Sequence, residues 1–125
     1  MRVLVLHNRY SSRVPSGENA AVDDEILWLR QAGHDVEQID AHNDDIIAAG
    51  PARQLQLGAA TIWSPAAQRR THDTITRHRP DILHIHNLFP LLSASVLRAA
   101  ERHHIPVVWT VHNRRATCVI GTNHR

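Results

Sequence analysis

Three short apolar runs in this chain end in the same two residues, histidine then asparagine. Val3-Leu-Val-Leu6 runs into His7-Asn8, Ile82-Leu-His-Ile85 into His86-Asn87, and Val107-Val-Trp-Thr-Val111 into His112-Asn113. Near-continuous Val, Ile and Leu is the pattern of a parallel strand buried on both faces. A polar pair at the carboxyl end then marks where each strand leaves the core. Ligands of open α/β sheets bind along that edge, so the repeated ending predicts one polar cleft lined by His7, His86 and His112.

The intervening sequence supplies the crossovers. After a turn-rich loop, Val22, Ile26 and Leu29 recur at helical spacing and predict a helix over residues 18–32, with Ala21, Trp28 and Ala32 widening its apolar stripe. Gly33 is the expected stop. Residues 35–40 alternate enough for a second strand, completing a βαβ unit. Between residues 43 and 78 the pattern predicts two or three short helices, broken at Gly50-Pro51 and Ser64-Pro65 and packed on the sheet. A strand over 81–85, a helix over 91–103 with Ser93, Val96, Leu97 and Ala100 facing inward, and a strand over 107–111 follow. The expected fold is α/β, a Rossmann-like doubly wound parallel sheet in three α/β/α layers, with strand order two-one-three-four and residues 1–125 in a single domain.

A chain of 125 residues suits one core. Its 42% apolar and 21% charged residues argue against wholesale disorder. The formal charge of +2 is small and both signs are interspersed, which excludes the concentrated basic stripe of a nucleic-acid protein. All 14 cationic side chains are arginine, a bias that reads as codon preference. Arg69, Arg70, Arg77 and Arg79 cluster as a solvated helix face, with peripheral contact to an anionic membrane surface as the rival reading. No run reaches the length of a signal-peptide core or a membrane span, so the expected address is the cytoplasm, with any membrane contact at its inner face. The single Cys118 excludes an internal disulfide.

The chemistry-bearing motifs leave alternatives open. Ser16-Gly17 before a helix could meet an anion at the helix amino terminus, yet a plain N-cap is the more ordinary use, and Glu18, Asp23, Asp24 and Glu25 would repel a diphosphate. Dinucleotide and Walker fingerprints are absent from the sequence. His84 and His86 fall on one strand face and could chelate a metal, but the sequence offers no third ligand at a telling spacing, so no metal is expected. His84 reads as a satisfied core histidine, and His86, at the strand tip, as the functional candidate. No Gly-x-Ser-x-Gly elbow supports a hydrolase. His103-His104 suits a helix carboxyl terminus.

Taken together, His7-Asn-Arg-Tyr10, Pro15-Ser-Gly-Glu18, Gly33-His-Asp-Val36, Pro80-Asp-Ile-Leu-His-Ile-His-Asn-Leu-Phe-Pro90 and Ile105-Pro-Val-Val-Trp-Thr-Val-His-Asn113 resemble the amino-terminal domain of family 4 glycosyltransferases. The resemblance implies the GT-B arrangement, in which two Rossmann-like domains face each other across a cleft. One takes a glycan or lipid-linked acceptor and the other a nucleotide-sugar donor; transfer is retaining and uses no cofactor or active-site metal. It implies Ser16 and Gly17 near the donor phosphates, and His86, Asn87, Asn113, His7 and Asn8 on the acceptor side. His112 would sit by the transferred sugar as the catalytic group. Two departures stand out: Ser16 replaces a customary glycine, and Arg114 follows the last His-Asn where an aromatic is common. Arg115, Cys118 and Gly121-Thr122 echo the family pattern.

The sequence ends at Arg125, short of a donor-binding domain, so the chain by itself is expected to transfer no sugar. The strand at 107–111 is expected to present an open edge that pairs with a second copy or with the remainder of the enzyme. Two rivals remain: a non-catalytic glycan- or nucleotide-binding module, and a histidine-rich metal-binding protein whose zinc uptake depends on His84 and His86.

Overall fold

The computed structural model describes residues 1–13, 15–47 and 50–112. The elements are β1 (Arg2–Arg9), α1 (Gly17–Gln31), β2 (Asp35–His42), α2 (Asp44–Ile47), α3 (Pro51–Ile62), α4 (Pro65–His78), β3 (Ile82–Asn87), α5 (Ser95–Arg102) and β4 (Val107–Trp109). The four strands form one parallel sheet in the order β2-β1-β3-β4. This is the Rossmann-like α/β architecture and strand order expected from the apolar runs.

Strand parity sorts the core into two layers. Leu4 and Leu6 of β1 and Leu83 and Ile85 of β3 pack with Ala67 and Ile75 of α4 and Val96, Ala99 and Ala100 of α5. Val3 and Val5 pack instead with Val22 and Ile26 of α1 and Val36 of β2. Helices therefore cover both sides of the sheet.

Local chemistry fixes the helix ends. Ser16 caps α1, its Oγ accepting from the Asn19 N–H at 3.2 Å. At the other end Gly33 adopts a φ of 84°, while its N–H and that of His34 bond back to Arg30 and Leu29. That closure needs a left-handed residue, which glycine supplies without strain. Pro51 and Pro65 both stand in the first turn of their helices, where a missing N–H costs nothing.

Several sequence expectations change. Trp28 does not widen the stripe of α1; it is 64% exposed, and Ala21 and Ala32 are exposed as well. The stripe turns the other way, bringing Glu25 partly inside. α3 is not packed as core, since Leu55 and Ile62 are 81% and 80% exposed. α5 starts at Ser95, later than the helix expected from residue 91. The delay has a cause: Ser93 takes a φ of 59°, and its Oγ accepts from the Ser64 N–H at 3.0 Å and pairs with Ser95 Oγ at 2.9 Å. Ser95 Oγ in turn donates to the Ser64 carbonyl at 2.8 Å, so a buried serine cluster ties the start of α4 to the start of α5. β4 is shorter than the expected 107–111 strand, although the Thr110 N–H still reaches the Ile85 carbonyl at 2.8 Å.

Candidate functional site

The chain runs from β1 outward to β2 and then returns to place β3 on the other side of β1. Loops leave in opposite directions at such a switch point, opening a crevice at the carboxyl edge. His7 and His86 lie near the carboxyl ends of the two strands that border it.

The register shifts there. Leu6 faces Ile85, but His7 faces Asn87, so His86 is the extra residue of a bulge. A bulge re-aims a side chain at the end of a ladder. The His86 ring lies 6.2 Å from that of His7, edge-on, and 4.3 Å from that of His84. His112 stacks on it at 5.1 Å, and His86 Nδ1 pairs with His112 Nε2 at 2.8 Å. The three strand-tip histidines converge, joined by His84.

They differ in access. His7 and His86 are buried and His112 is exposed, so His112 is the member of the group that meets solvent. Burial, followed by the neighbouring His84, His112 and His7 rings, pushes the His86 imidazole down to about 3. It is therefore neutral at physiological pH. Burial lowers His7 too, against the opposing hydrogen bond from Nε2 to Asn19 Oδ1 at 2.9 Å.

The two asparagines of the described His-Asn pairs hold loops. Asn8 Nδ2 donates to Asn43 Oδ1 at 2.7 Å, and its Oδ1 accepts from the Leu91 N–H at 3.0 Å. Asn87 Oδ1 accepts from the Phe89 N–H at 3.1 Å, and its Nδ2 reaches the Asn8 carbonyl at 3.4 Å. Both side chains are buried. Asn113, Arg114, Arg115, Cys118, Gly121 and Thr122 lie outside the described residues.

The loops so held enclose a hollow of about 510 Å³ lined by Tyr10 and Ser11 after β1, Pro15 and Ser16 before α1, Asn43 and Ile46 after β2, and Pro90 after β3. Its wall is made of strand-following loops, and none of His7, His86 or His112 lines it, so the histidine-lined cleft expected from the sequence is not this hollow. Ser16 belongs to the wall although its Oγ is engaged in capping. At Gly17 a side chain would meet no heavy atom within 4 Å, so the backbone there is open to approach. Asp44 braces the loop, taking Ser11 Oγ at 2.6 Å and the Ser12 N–H at 3.0 Å. These two hydrogen bonds hold its carboxyl down to about 2.

A second hollow, about 560 Å³, runs between β2 and α4, away from this edge. Arg77 and Arg70, which border it, are tied to Glu37 at 2.9 Å and to the Asp40 carbonyl at 2.8 Å. Two of the four clustered arginines, Arg70 and Arg77, thus make internal contacts.

Sequence reasoning missed three partners. Glu25 of α1 lies 2.9 Å from His84 Nδ1 and 3.8 Å from His86 Nε2. Thr110 Oγ1 meets His84 Nε2 at 2.8 Å. Asn19 holds His7. Position offered a signal for two of them: Glu25 lies three residues after Val22 on the inward side of α1, and Thr110 shares strand parity with His112.

Residues 15–124 match Glycosyltransferase Family 4. The chain belongs to that family. Its four-stranded parallel sheet with flanking helices is consistent with a Rossmann-like domain of that family. No curated protein matches it. Among the described residues no helix is long and apolar enough to cross a membrane.

Proposed function

We propose that this glycosyltransferase domain is the acceptor-side half of a retaining enzyme, one that moves a sugar from a nucleotide-sugar donor to a hydroxyl of a glycan or lipid-linked acceptor. The observation that carries the reading is the exposed His112 imidazole held on the buried, neutral His86 at 2.8 Å. With Nε2 engaged there, His112 retains Nδ1 for a sugar hydroxyl. Its backing by a rigid buried ring is what preorganisation asks of such a group.

In this reading His7, His86, Asn8 and Asn87 shape the acceptor side from behind: the histidines brace His112 and the asparagines pin the loops around the hollow. Asn113 continues the same rim. Ser16 and Gly17 lie near the donor phosphates, and the nucleotide itself is held by a second Rossmann-like body docked across the carboxyl edge. No cofactor takes part. The outer edge of β4, with Val107, Val108 and Trp109 all 40–45% exposed, is where the remainder of the enzyme or a second copy pairs. The working address is the cytoplasm, at most touching the inner membrane face.

The test is to incubate the 125-residue chain with nucleotide sugars and acceptor glycans, following both binding and turnover. The expected result is saturable acceptor binding weakened by His112→Ala, with no transfer. Turnover by this chain alone would refute the half-enzyme reading. Glycan binding indifferent to His112→Ala would favour a non-catalytic binding module.

A further inference from the structure

We propose that Glu25, His84 and His86 form a site for one divalent transition-metal ion of the zinc class, between α1 and β3 and inward of His112. This goes beyond sugar transfer and stands without it.

Among the described residues, this is the one group of three His, Cys, Asp or Glu side chains placed to share an ion, with all donor atoms within 4.8 Å of one another. Glu25 Oε1 lies 2.9 Å from His84 Nδ1, and Glu25 Oε2 lies 3.8 Å from His86 Nε2. A tetrahedral zinc with bonds of ~2.1 Å separates its ligand atoms by about 3.4 Å. The two separations run to different carboxylate oxygens, and one ligand atom from each of the three residues falls within 4.8 Å, so rotating the Glu25 carboxylate and drawing the ligand atoms together seats one ion.

The remaining nitrogens are arranged for the same purpose. His84 Nε2 is engaged by Thr110 Oγ1 and His86 Nδ1 by His112 Nε2, each at 2.8 Å. Protons placed on those two nitrogens leave lone pairs on His84 Nδ1 and His86 Nε2, both beside Glu25. Such outer contacts are what orient metal-binding imidazoles.

A simple Glu25–His84 hydrogen bond accounts for only part of this. The His86 side chain is 0% exposed, and its Nε2 has no hydrogen-bond partner among the described residues. An unpaired buried nitrogen is costly. One cation bonded to the carboxylate and both imidazoles satisfies all three groups. The donor set of two imidazoles and one carboxylate suits zinc-class ions, whereas calcium and magnesium take oxygen shells. Three protein ligands leave a fourth position for water or another ligand.

The test titrates the metal-free chain with zinc chloride by calorimetry and follows the histidine ring nitrogens by NMR. The expected result is one ion per chain, a melting temperature that rises with zinc, and shifts at His84 Nδ1 and His86 Nε2. Glu25→Gln should weaken binding tenfold or more and Thr110→Val roughly tenfold. His103→Gln, which removes the separate His72–His103 contact at 2.8 Å, should leave it unchanged. No stoichiometric uptake, shifts confined to other histidines, or affinity unchanged by Glu25→Gln would overturn the site. Should Glu25→Gln fail to fold, the ring-nitrogen shifts in the unaltered chain decide the question.

Discussion

The two faces of the central sheet come from alternate residues of the same strands, and they serve different ends. Toward α4 and α5, Leu4, Leu6, Leu83 and Ile85 are apolar, with the buried Asn8 the polar exception at the end of β1, and Leu88 and Leu92 extend the layer past the carboxyl edge. Toward α1, Val3, Val5 and Ile82 give way to His7, His84 and His86 as the strands approach that edge. One parity therefore carries most of the apolar core, and the other carries the histidines. Because side chains alternate with a period of two, the division is built into each strand rather than into separate segments.

The sharpest way to break this comparison is to truncate the apolar face. Leu83→Ala, at a fully buried position, should cost about 2–5 kcal/mol in urea unfolding. A loss much smaller than that would mean that the α4/α5 layer is not the main source of stability.

The matched change on the other face is His86→Leu, made in metal-free protein. Its imidazole is buried and neutral, and its partner His112 regains water when released, so the cost should stay under about 1.5 kcal/mol. The ring stacking of His112 should nevertheless vanish, read as a change in its ring-proton shifts. A loss as large as that of Leu83→Ala would erase the contrast.

On the α1 face Arg9 ties β1 to its neighbours, bonding Asp40 of β2 at 2.6 Å and pairing with Asp23 of α1. The Asp23 hydrogen bond leads a set of acidic contacts that raises its guanidinium further, against the cost of burial. Arg9→Ala should cost about 1 kcal/mol, since Asp23 is largely exposed and solvent screens the pair.

The smallest effect belongs to the loop. Asp44 has a folded pKa of about 2, below its ordinary value, so its contribution is complete above about 3.9 and is lost as the pH falls toward 2. Amide exchange at Ser12 should accelerate over that window while exchange in β1 does not. Asp44→Asn should remove the pH dependence.

How much of this was legible follows from what each signal depends on. Strand order, the Gly33 stop and the helix starts at Pro51 and Pro65 are local or topological, and the chain spells them out. So is the convergence of His7, His86 and His112, because three carboxyl ends of neighbouring parallel strands must share an edge. The late start of α5 was hidden because it depends on Ser64, about thirty residues away. Glu25 reads as a solvated helix acid until α1 is docked with Trp28 outward. The bulge at His86 cannot be seen in β3 alone, since it exists only relative to β1. Sequence thus located the histidines and missed what holds them.

The central claim is that the polar face ends in a carbohydrate-binding mouth at the carboxyl edge of the sheet. Amide and ring-proton shifts mapped while an acceptor oligosaccharide is added test it most directly. The account predicts changes at Tyr10, Ser11, Ser16, Asn43 and His112, with Asp35, Asp81 and Ile105 at the opposite edge unmoved. Changes centred on that opposite edge, or on the hollow between β2 and α4, would contradict it.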